Sequence, residues 1–491
     1  MKLVEVLKDI QEVDVSGNRD IDIHGIEHDS RRVLPGQLFV AIQGFRFNGA
    51  EFIDEAVKAG AVAVATEADP PHDMPVGTWI KAADSRSFMS LAAANFYGPG
   101  EERIRLVGIT GTNGKSTVAF LIQAIWQSAG LSSGMLGTIF YQIGDRRERA
   151  ERTTPESIDI HRFLVDLHAQ GCDHCVMEVS SHALAMKRVL GLSFQAAVFT
   201  NLTQDHMDFH PSMDAYFSAK KELFTYLSPD GTAVINADDP RSEALKGAVK
   251  GKAVTFGINR DADYRPASCS FSRDGIQANI KTPGGDLKIR SSLLGRPNLY
   301  NILAAVATAC ETGISLPVIA RGLRELEGVP GRFERISEGQ DFLAIVDFAH
   351  TDNALENLLL TIREITDGRL ITVLGCGGDR DKGKRPLMGA VAAGMSDIAI
   401  VTSDNPRSED PLTIINDIMA GTGKTPEGGG NCLVIPERRE AIRKAVSLAA
   451  AGDAVVLAGK GHETGQTFRD GTKPFDDREE LRKALKEIWH C

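Results

Sequence analysis

Leu106-Val-Gly-Ile-Thr-Gly-Thr-Asn-Gly-Lys-Ser-Thr117 reads as an apolar strand that runs straight into a glycine-rich loop. Gly111 and Gly114 let the backbone approach phosphate oxygens. Lys115 brings a mobile positive charge, and the Ser116 hydroxyl suits the magnesium that accompanies ATP. A helix expected to start near Lys115 aims its first amides at the same phosphates. Gly111 precedes Gly114 by three positions, whereas the common phosphate loop separates its glycines by about five. The stretch predicts a nucleoside-triphosphate site on an α/β sheet; an ordinary strand-to-helix turn is the alternative.

Around this loop lies a chain too long for one core. Its 491 residues suggest roughly three domains of about 150 residues each. No apolar run approaches the roughly 18 to 20 residues that span a bilayer. The charged N-terminus Met-Lys-Leu-Val-Glu-Val-Leu-Lys-Asp is unlike a signal peptide, so no membrane insertion and a cytoplasmic location are expected. A net charge of -11, from 55 basic and 66 acidic side chains, argues against a nucleic-acid partner. Seven cysteines in no framework spacing point to reduced thiols. Cys172-Asp-His-Cys175 leads into the apolar run Val176-Met-Glu-Val179 with no second such pair, and is read as buried small hydrophobes rather than a metal or redox centre.

Residues 1–98 carry short apolar runs between glycines and prolines, a small α/β unit, and Gly98-Pro-Gly-Glu-Glu-Arg103 marks the first boundary. From Ile104, strands such as Gln195–Thr200 and Thr232–Ile235 alternate with helical patterns, the signature of a mostly parallel sheet over 99–330. After Gly328-Val-Pro-Gly-Arg332, the apolar strands Leu343–Asp347, Leu370–Leu374, Ile398–Val401 and Ala454–Leu457 predict a doubly wound domain over 331–491. Gly428-Gly-Gly430 is read as a flexible loop.

Four places carry chemistry. Glu178 ends an apolar strand where a parallel sheet faces its ligand crevice, and its carboxylate fits a magnesium shared with Ser116 and a triphosphate. The alternative is a solvated strand-end glutamate. Asp205, His206, Asp208 and His210 crowd the end of the next strand, suggesting metal or phosphate work, with a polar loop that gathers titratable residues by chance as the alternative. Taken as a helix at about 100° per residue, Asp214–Pro229 gathers Tyr216, Phe217, Leu223, Phe224 and Leu227 into one apolar arc with Lys220 at its centre. That lysine either snorkels to water or is desolvated, partly neutral and able to react with carbon dioxide. In the last domain, Gly375-Cys-Gly-Gly-Asp-Arg-Asp-Lys-Gly-Lys-Arg385, Thr402-Ser-Asp-Asn-Pro-Arg407 and Gly459-Lys-Gly-His-Glu463 each follow a strand. They should converge on one crevice, with Arg407 offering a fork for a carboxylate.

With Asp29-Ser-Arg31, Pro35–Ala41, Thr110–Ser116, Met177–His182, Asp205-His206, Gly331-Arg332 and Asp347–His350, these motifs resemble the Mur ligase family over essentially the whole chain. The resemblance implies an α/β protein of three domains: a small N-terminal domain that holds a UDP moiety, a central P-loop ATPase and a C-terminal Rossmann-like domain. It further implies that ATP phosphorylates the D-glutamate side chain of UDP-N-acetylmuramoyl-L-alanyl-D-glutamate, and that the amine of an incoming amino acid displaces phosphate. This would be a step of cytoplasmic peptidoglycan precursor synthesis, carried out by a monomer.

By that resemblance Ser30, Phe45, Arg46 and Phe47 contact the uridine nucleotide, and Arg152, Thr153, Thr154, Ser180, Met186 and Arg188 line the muramoyl-peptide site. Gly111, Thr112, Asn113, Gly114, Lys115 and Ser116 bind ATP phosphates, with Asn298, Asn301, Arg332 and Asp347 as further ATP contacts. Ser116, Glu178, His206 and Lys220, the last as a carbamate, hold Mg2+. Asp404, Asn405, Pro406 and Arg407 resemble the loop form associated with meso-diaminopimelate, completed by Arg380, Gly459 and Glu463. Arg152, Met186 and Phe348 depart from the residues often found at their positions. Rival readings are the same ligase using L-lysine, a folylpolyglutamate synthase, which lacks a counterpart of residues 1–98, and a P-loop switch protein that hydrolyses nucleotide without an amino-acid substrate.

Overall fold

The computed structural model describes residues 1–44, 47–98, 104–423 and 431–489. Phe45, Arg46, the first expected domain junction beyond Gly98 and the glycine loop at 428–430 lie outside the described residues. The chain divides into two compact units, Met1–Thr255 with Ala307–Ile314, and Phe256–Val306 with Ser315–Cys491.

The first unit holds two sheets. The smaller runs in the order Val13–Gly17, Thr78–Ala82, Ala63–Thr66, Gln37–Val40, Gly25–Glu27, parallel except for its first strand. The larger runs Lys252–Phe256, Leu227–Asn236, Phe194–Phe199, Arg105–Thr110, His174–Glu178, Ser133–Leu136, Phe140–Ile143, Arg146–Arg149. Its central strands are parallel, and the last three form an antiparallel meander. Arg105–Thr110 lies in the middle with helices over the sheet, which is why all but its first residue are buried and apolar or small. The carboxyl ends of this strand and of His174–Glu178 therefore open side by side.

The two sheets share packing. Ile158, on the helix Ser157–Ala169, belongs to the core formed by Leu38, Ile80 and Phe88 of the smaller sheet. One turn on, Arg162 donates to Glu27 Oε2 at 3.0 Å, to the Ile26 carbonyl at 2.7 Å and to the Tyr97 hydroxyl at 3.1 Å.

The second unit contains an antiparallel meander, Arg265–Ser272, Gly275–Thr282, Gly285–Ser291, flanked by the helix Leu316–Glu325. It also contains a six-stranded sheet in the order Glu334–Arg335, Leu343–Asp347, Ala454–Ala458, Leu370–Leu374, Ile398–Val401, Cys432–Val434. All but the first strand run parallel. Alternate residues feed opposite layers. Leu343 and Ile345 join Leu355, Met388 and Ile414 on one face, while Ala344 and Val346 join Ile442 and Leu481 on the other. This is the expected doubly wound arrangement.

Cys172 and Cys175 are free and buried, and burial pushes both thiols up, as expected of small core residues rather than a reactive pair. No helix among the described residues is long and apolar enough to cross a membrane. One expected element is corrected. The helix expected over Asp214–Pro229 spans Met213–Lys221, tightens into a 3-10 turn over Glu222–Tyr226 and gives way at Leu227 to a strand. Pro229 cannot donate a helical hydrogen bond and disfavours helical geometry at Ser228, and the Glu222 carboxylate is drawn aside by Lys187 at 2.5 Å and Tyr226 at 2.7 Å.

Candidate active site

Gly111 and Gly114 take φ values of 144° and 88°, a region that penalises any Cβ. A Cβ on Gly111 would also fall 1.9 Å from Thr200 Oγ1. Thr200 Oγ1 donates to the Asn113 carbonyl at 2.6 Å, and Asn201 Oδ1 accepts from the Asn113 amide at 3.0 Å, so the neighbouring strand end braces the loop. The helix Lys115–Ser128 starts where expected. Lys115 Nζ donates to the carbonyls of Gly111 and Thr112 at 2.8 and 2.9 Å, which holds its charge against the mouth of the loop.

Glu178 is 1% exposed, so the solvated alternative fails. Its carboxylate accepts from Ser116 Oγ at 3.0 Å, Thr138 Oγ1 at 3.0 Å and the Thr138 amide at 2.8 Å. Thr138 lies on the adjacent strand end and was not among the sequence candidates; its only sequence signal is its place after the apolar strand Ser133–Leu136. Ser116 and Glu178 thus meet as expected. A carboxylate beside a hydroxyl at the head of a phosphate loop is the donor set magnesium favours, one or two carboxylates with phosphate and water oxygens. Among the described residues no group of three or more histidine, cysteine or acidic side chains is gathered as for a metal held by protein alone.

Lys220 is 1% exposed, and Tyr216, Phe217, Leu223 and Phe224 are buried as the apolar arc requires, whereas Leu227, the fifth residue expected on the arc, begins the following strand and is half-buried. Burial and the charge of Lys115 hold the Lys220 ammonium well below its ordinary pKa, against the opposing pull of Asp205. Its Nζ lies 4.3 Å from the centre of the Tyr216 ring. His206, within electrostatic reach of Lys220 and in a left-handed conformation at φ 57°, packs its ring against that of His182 with centroids 4.7 Å apart. Burial lowers both imidazoles, His182 to about 4, helped at His182 by the neighbouring histidines and at His206 by Lys115 and Lys220. Both rings are therefore neutral at pH 7 and able to ligate. His210 Nε2 is hydrogen-bonded to Ser181 Oγ at 3.0 Å, and its ring packs 4.9 Å from that of Tyr216.

The expected peptide-binding residues gather beside Glu178. Thr153 Oγ1 lies 3.1 Å from Thr138 Oγ1, and Thr154 Oγ1 donates to the Glu178 carbonyl at 2.9 Å and accepts from the Ser180 amide at 3.1 Å. Arg188 donates to the Thr154 carbonyl at 3.0 Å and to Glu156 at 2.7 Å, and Met186 Sδ sits 3.4 Å from its guanidinium. Arg152 pairs with the same Glu156. Arg188, Arg152 and Arg86 together hold the Glu156 carboxyl below its ordinary range although burial opposes them. Ser30 is engaged with Glu55 at 2.9 Å, and Phe47 is exposed.

In the second unit Asn298 and Asn301 are buried and joined by a 3.0 Å hydrogen bond. Asp347 accepts from the amides of Phe333 at 2.6 Å and Ala349 at 2.7 Å, and burial pushes its carboxyl up while Arg332 opposes. The Arg332 guanidinium stacks 4.6 Å from the Phe348 ring, a contact that needs only an aromatic face at this position.

Loops at the carboxyl edge of the six-stranded sheet converge as expected. The Arg407 amide donates to the Thr467 carbonyl at 2.9 Å, and its guanidinium reaches the Gly378 carbonyl at 2.5 Å. A Cβ on Gly377 would meet that guanidinium at 2.8 Å, and one on Gly459 would meet Asp404 Oδ2 at 2.7 Å. Burial and Arg380 lower the Arg407 pKa, while Asp404, Glu463 and Asp379 raise it. Pro406 packs its carbonyl against Gly378, and Asn405 Nδ2 donates to Glu463 Oε2 at 2.7 Å. Arg385, at the end of the strand-following loop Gly375–Arg385 expected at the crevice, is wholly buried in ion pairs with Glu409 and Asp417 at 2.8 and 2.9 Å. It serves the framework instead.

Family profiles match this chain in order: "Mur ligase family, catalytic domain" over residues 22–97, "Mur ligase middle domain" over 109–309 and "Mur ligase, glutamate ligase domain" over 331–461. A UDP-N-acetylmuramoyl-L-alanyl-D-glutamate--2,6-diaminopimelate ligase of Solibacter usitatus (strain Ellin6076) is 47% identical over 467 residues, 95% of this chain and 94% of that protein. One from Clostridium tetani (strain Massachusetts / E88) is 42% identical over the whole of both chains. A solved structure of a protein of the same name matches over 100% of both chains with a TM-score of 0.73 and 32% identity. MurF from Acinetobacter baumannii, 18% identical with a TM-score of 0.65 over 100% of this chain and 99% of its own, shares the fold.

Proposed function

Because the chain belongs to the Mur ligase family, we propose that it joins meso-2,6-diaminopimelate to the D-glutamate of UDP-N-acetylmuramoyl-L-alanyl-D-glutamate as an ATP-dependent, ADP-forming ligase. The division into domains 1–98, 99–330 and 331–491, a monomeric state and a cytoplasmic setting for peptidoglycan precursor synthesis belong to the same reading. The observation that carries it is the loop Asp404–Arg407, whose guanidinium stands among Arg380, Asp404 and Glu463. Diaminopimelate ends in both a carboxylate and an ammonium, and this loop sets a planar cation beside an acid.

A carboxylate is a poor electrophile, so it is first phosphorylated. The loop amides and Lys115 orient the triphosphate for attack by the side-chain carboxylate of D-glutamate, and the charge of Lys115 offsets the negative charge that grows on the transferred phosphoryl group. Magnesium, when bound, neutralises charge across the phosphate oxygens; Ser116, Glu178, His206 and a carbamylated Lys220 would hold it. The donor set fits: Ser116 and Glu178 already meet, and His206 is neutral. Lys220 itself carries the wrong charge. Its neutral amine can attack carbon dioxide, form an N–C bond and release a proton, leaving an anionic carbamate. Thr154, Ser180 and Arg188 would hold the peptide, and Arg407 with Glu463 would hold the incoming amino acid, whose amine displaces phosphate from the acyl phosphate.

The test is phosphate release from ATP measured with each substrate omitted in turn. Release should require both the UDP-linked dipeptide and meso-diaminopimelate. Equal turnover with L-lysine would refute the amino-acid assignment, and turnover with nucleotide alone would refute ligation.

A further inference from the structure

Lys460 is wholly buried, 0% exposed, beneath the loops that carry Arg407 and Glu463. Its three donors are all used: Nζ lies 3.1 Å from Asn405 Oδ1, 2.9 Å from Glu463 Oε2 and 2.8 Å from the Gly465 carbonyl. An ammonium donates and never accepts, so the Asn405 amide has one permitted orientation. Its oxygen faces Lys460 and the Thr467 amide, 3.0 Å away, and its nitrogen faces Glu463 Oε2. Both lone pairs of Asn405 Oδ1 are consumed inside the protein, and Glu463 Oε2 is capped by two donors. Among the described residues no hydrogen bond reaches Glu463 Oε1, which leaves that oxygen for a ligand.

We infer that Lys460 is a positioning residue that sets the amino-acid preference of this pocket, by fixing Asn405 and Glu463 and by placing a cation behind them. The inference rests on the reading of this crevice as the amino-acid site. Charge carries the specificity. Arg380, Arg407 and Lys460 stand against Asp379, Asp404 and Glu463, three cations and three carboxylates, while the buried Arg438 behind Asp404 and Glu463 is offset by its own pair with Asp477. A balanced pocket suits a side-chain end that is itself balanced, an ammonium with a carboxylate. Removing Lys460 leaves one carboxylate in excess, which favours an end bearing only an ammonium.

Burying a lysine is costly without full pairing, and a purely structural staple for Gly465 would also explain it. Steady-state kinetics of the full-length enzyme with meso-diaminopimelate and with L-lysine separate the two roles. Lys460→Met removes charge and donors, and Lys460→Gln removes the charge while keeping an amide donor. For both we expect the KM for meso-diaminopimelate to rise about 10- to 100-fold, the loss of a charge-assisted hydrogen bond. The preference over L-lysine should shrink by a similar factor, with the KM values for ATP and the UDP-linked dipeptide unchanged. A staple alone would lower the active fraction for all substrates equally. If Lys460→Met does not fold, Lys460→Gln carries the test. A folded variant of either kind that keeps the wild-type KM and preference overturns the inference. Wild-type enzyme that ignores meso-diaminopimelate would instead refute the reading of the pocket.

Discussion

Lys220 Nζ lies 4.3 Å above the ring of Tyr216, and the hydroxyl of that ring is 3.2 Å from Thr112 Oγ1 in the phosphate loop. The lysine is thus tied to the loop through one aromatic side chain while its charge is suppressed by burial and by Lys115. Carbamate forms from the neutral amine with loss of a proton, so it is favoured as pH rises through the amine pKa. A lowered pKa brings that range toward neutrality. We expect 13C-bicarbonate to give a protein-bound carbamate resonance that is absent in Lys220→Ala. That variant should lose about 100-fold or more of its activity, partly restored by short carboxylic acids. No resonance in the active wild-type protein would remove the carbamate.

The contact between Ser116 and Glu178 separates charge from shape. Glu178→Gln keeps an oxygen for the Thr138 amide but removes the anion. Its stability should fall by no more than about 1–2 kcal/mol, read from urea unfolding, while phosphate release drops about 100-fold or more. Chelation of divalent ions should abolish release in the wild type, and added magnesium should restore it. Activity of Glu178→Gln within a few fold of wild type would exclude the carboxylate from metal and phosphate work.

Arg407 is held at φ 52° by the Thr467 carbonyl and the packed Gly377 and Gly378, so its fork is aimed before any ligand arrives. Arg407→Lys retains charge but loses the paired donors. The KM for meso-diaminopimelate should rise about 10- to 100-fold, with ATP affinity nearly unchanged. An unaltered KM would take Arg407 out of the pocket.

What the sequence conveyed was local. Two glycines, a lysine and a serine after an apolar run located the phosphate loop, and a helical arc located Lys220 even though the helix ends at Lys221. The strand-end loops of the last sheet were legible because parallel strands bring their carboxyl ends to one edge. Thr138 and Lys460 were not picked out. Thr138 meets Glu178 across 40 residues, and the Asn405–Glu463 contact that Lys460 supports spans 58. Such meetings depend on strand order, which periodicity does not carry. The meander over 265–291 escaped for another reason: its first strand is largely exposed, so it bears little of the apolar alternation by which strands are recognised.

The pair Glu27 and Arg162 links the two sheets of the first unit and should appear in its acid stability. Burial resists ionisation of Glu27, yet hydrogen bonds from His28 and the charge of Arg162 prevail and hold its carboxyl at about 2. A carboxyl depressed in the folded state contributes stability that is complete above its unfolded pKa and is lost as pH falls through the folded value. For Glu27 the window runs from the ordinary 4.5 down to about 2. Arg162→Ala leaves Glu27 buried and without its nearer guanidinium, with Arg32 still 3.5 Å from its Oε2. With Arg162 27% exposed and Arg32 still paired with Glu27, we expect a loss of no more than about 3 kcal/mol at pH 7, the lower end for a broken buried pair. Part of that deficit should vanish as pH falls below the raised Glu27 pKa of the variant, because protonation relieves the stranded charge. Urea unfolding of both proteins across this range measures the difference directly. Parallel wild-type and variant curves through the acid window would mean that Glu27 does not depend on Arg162 for its charge.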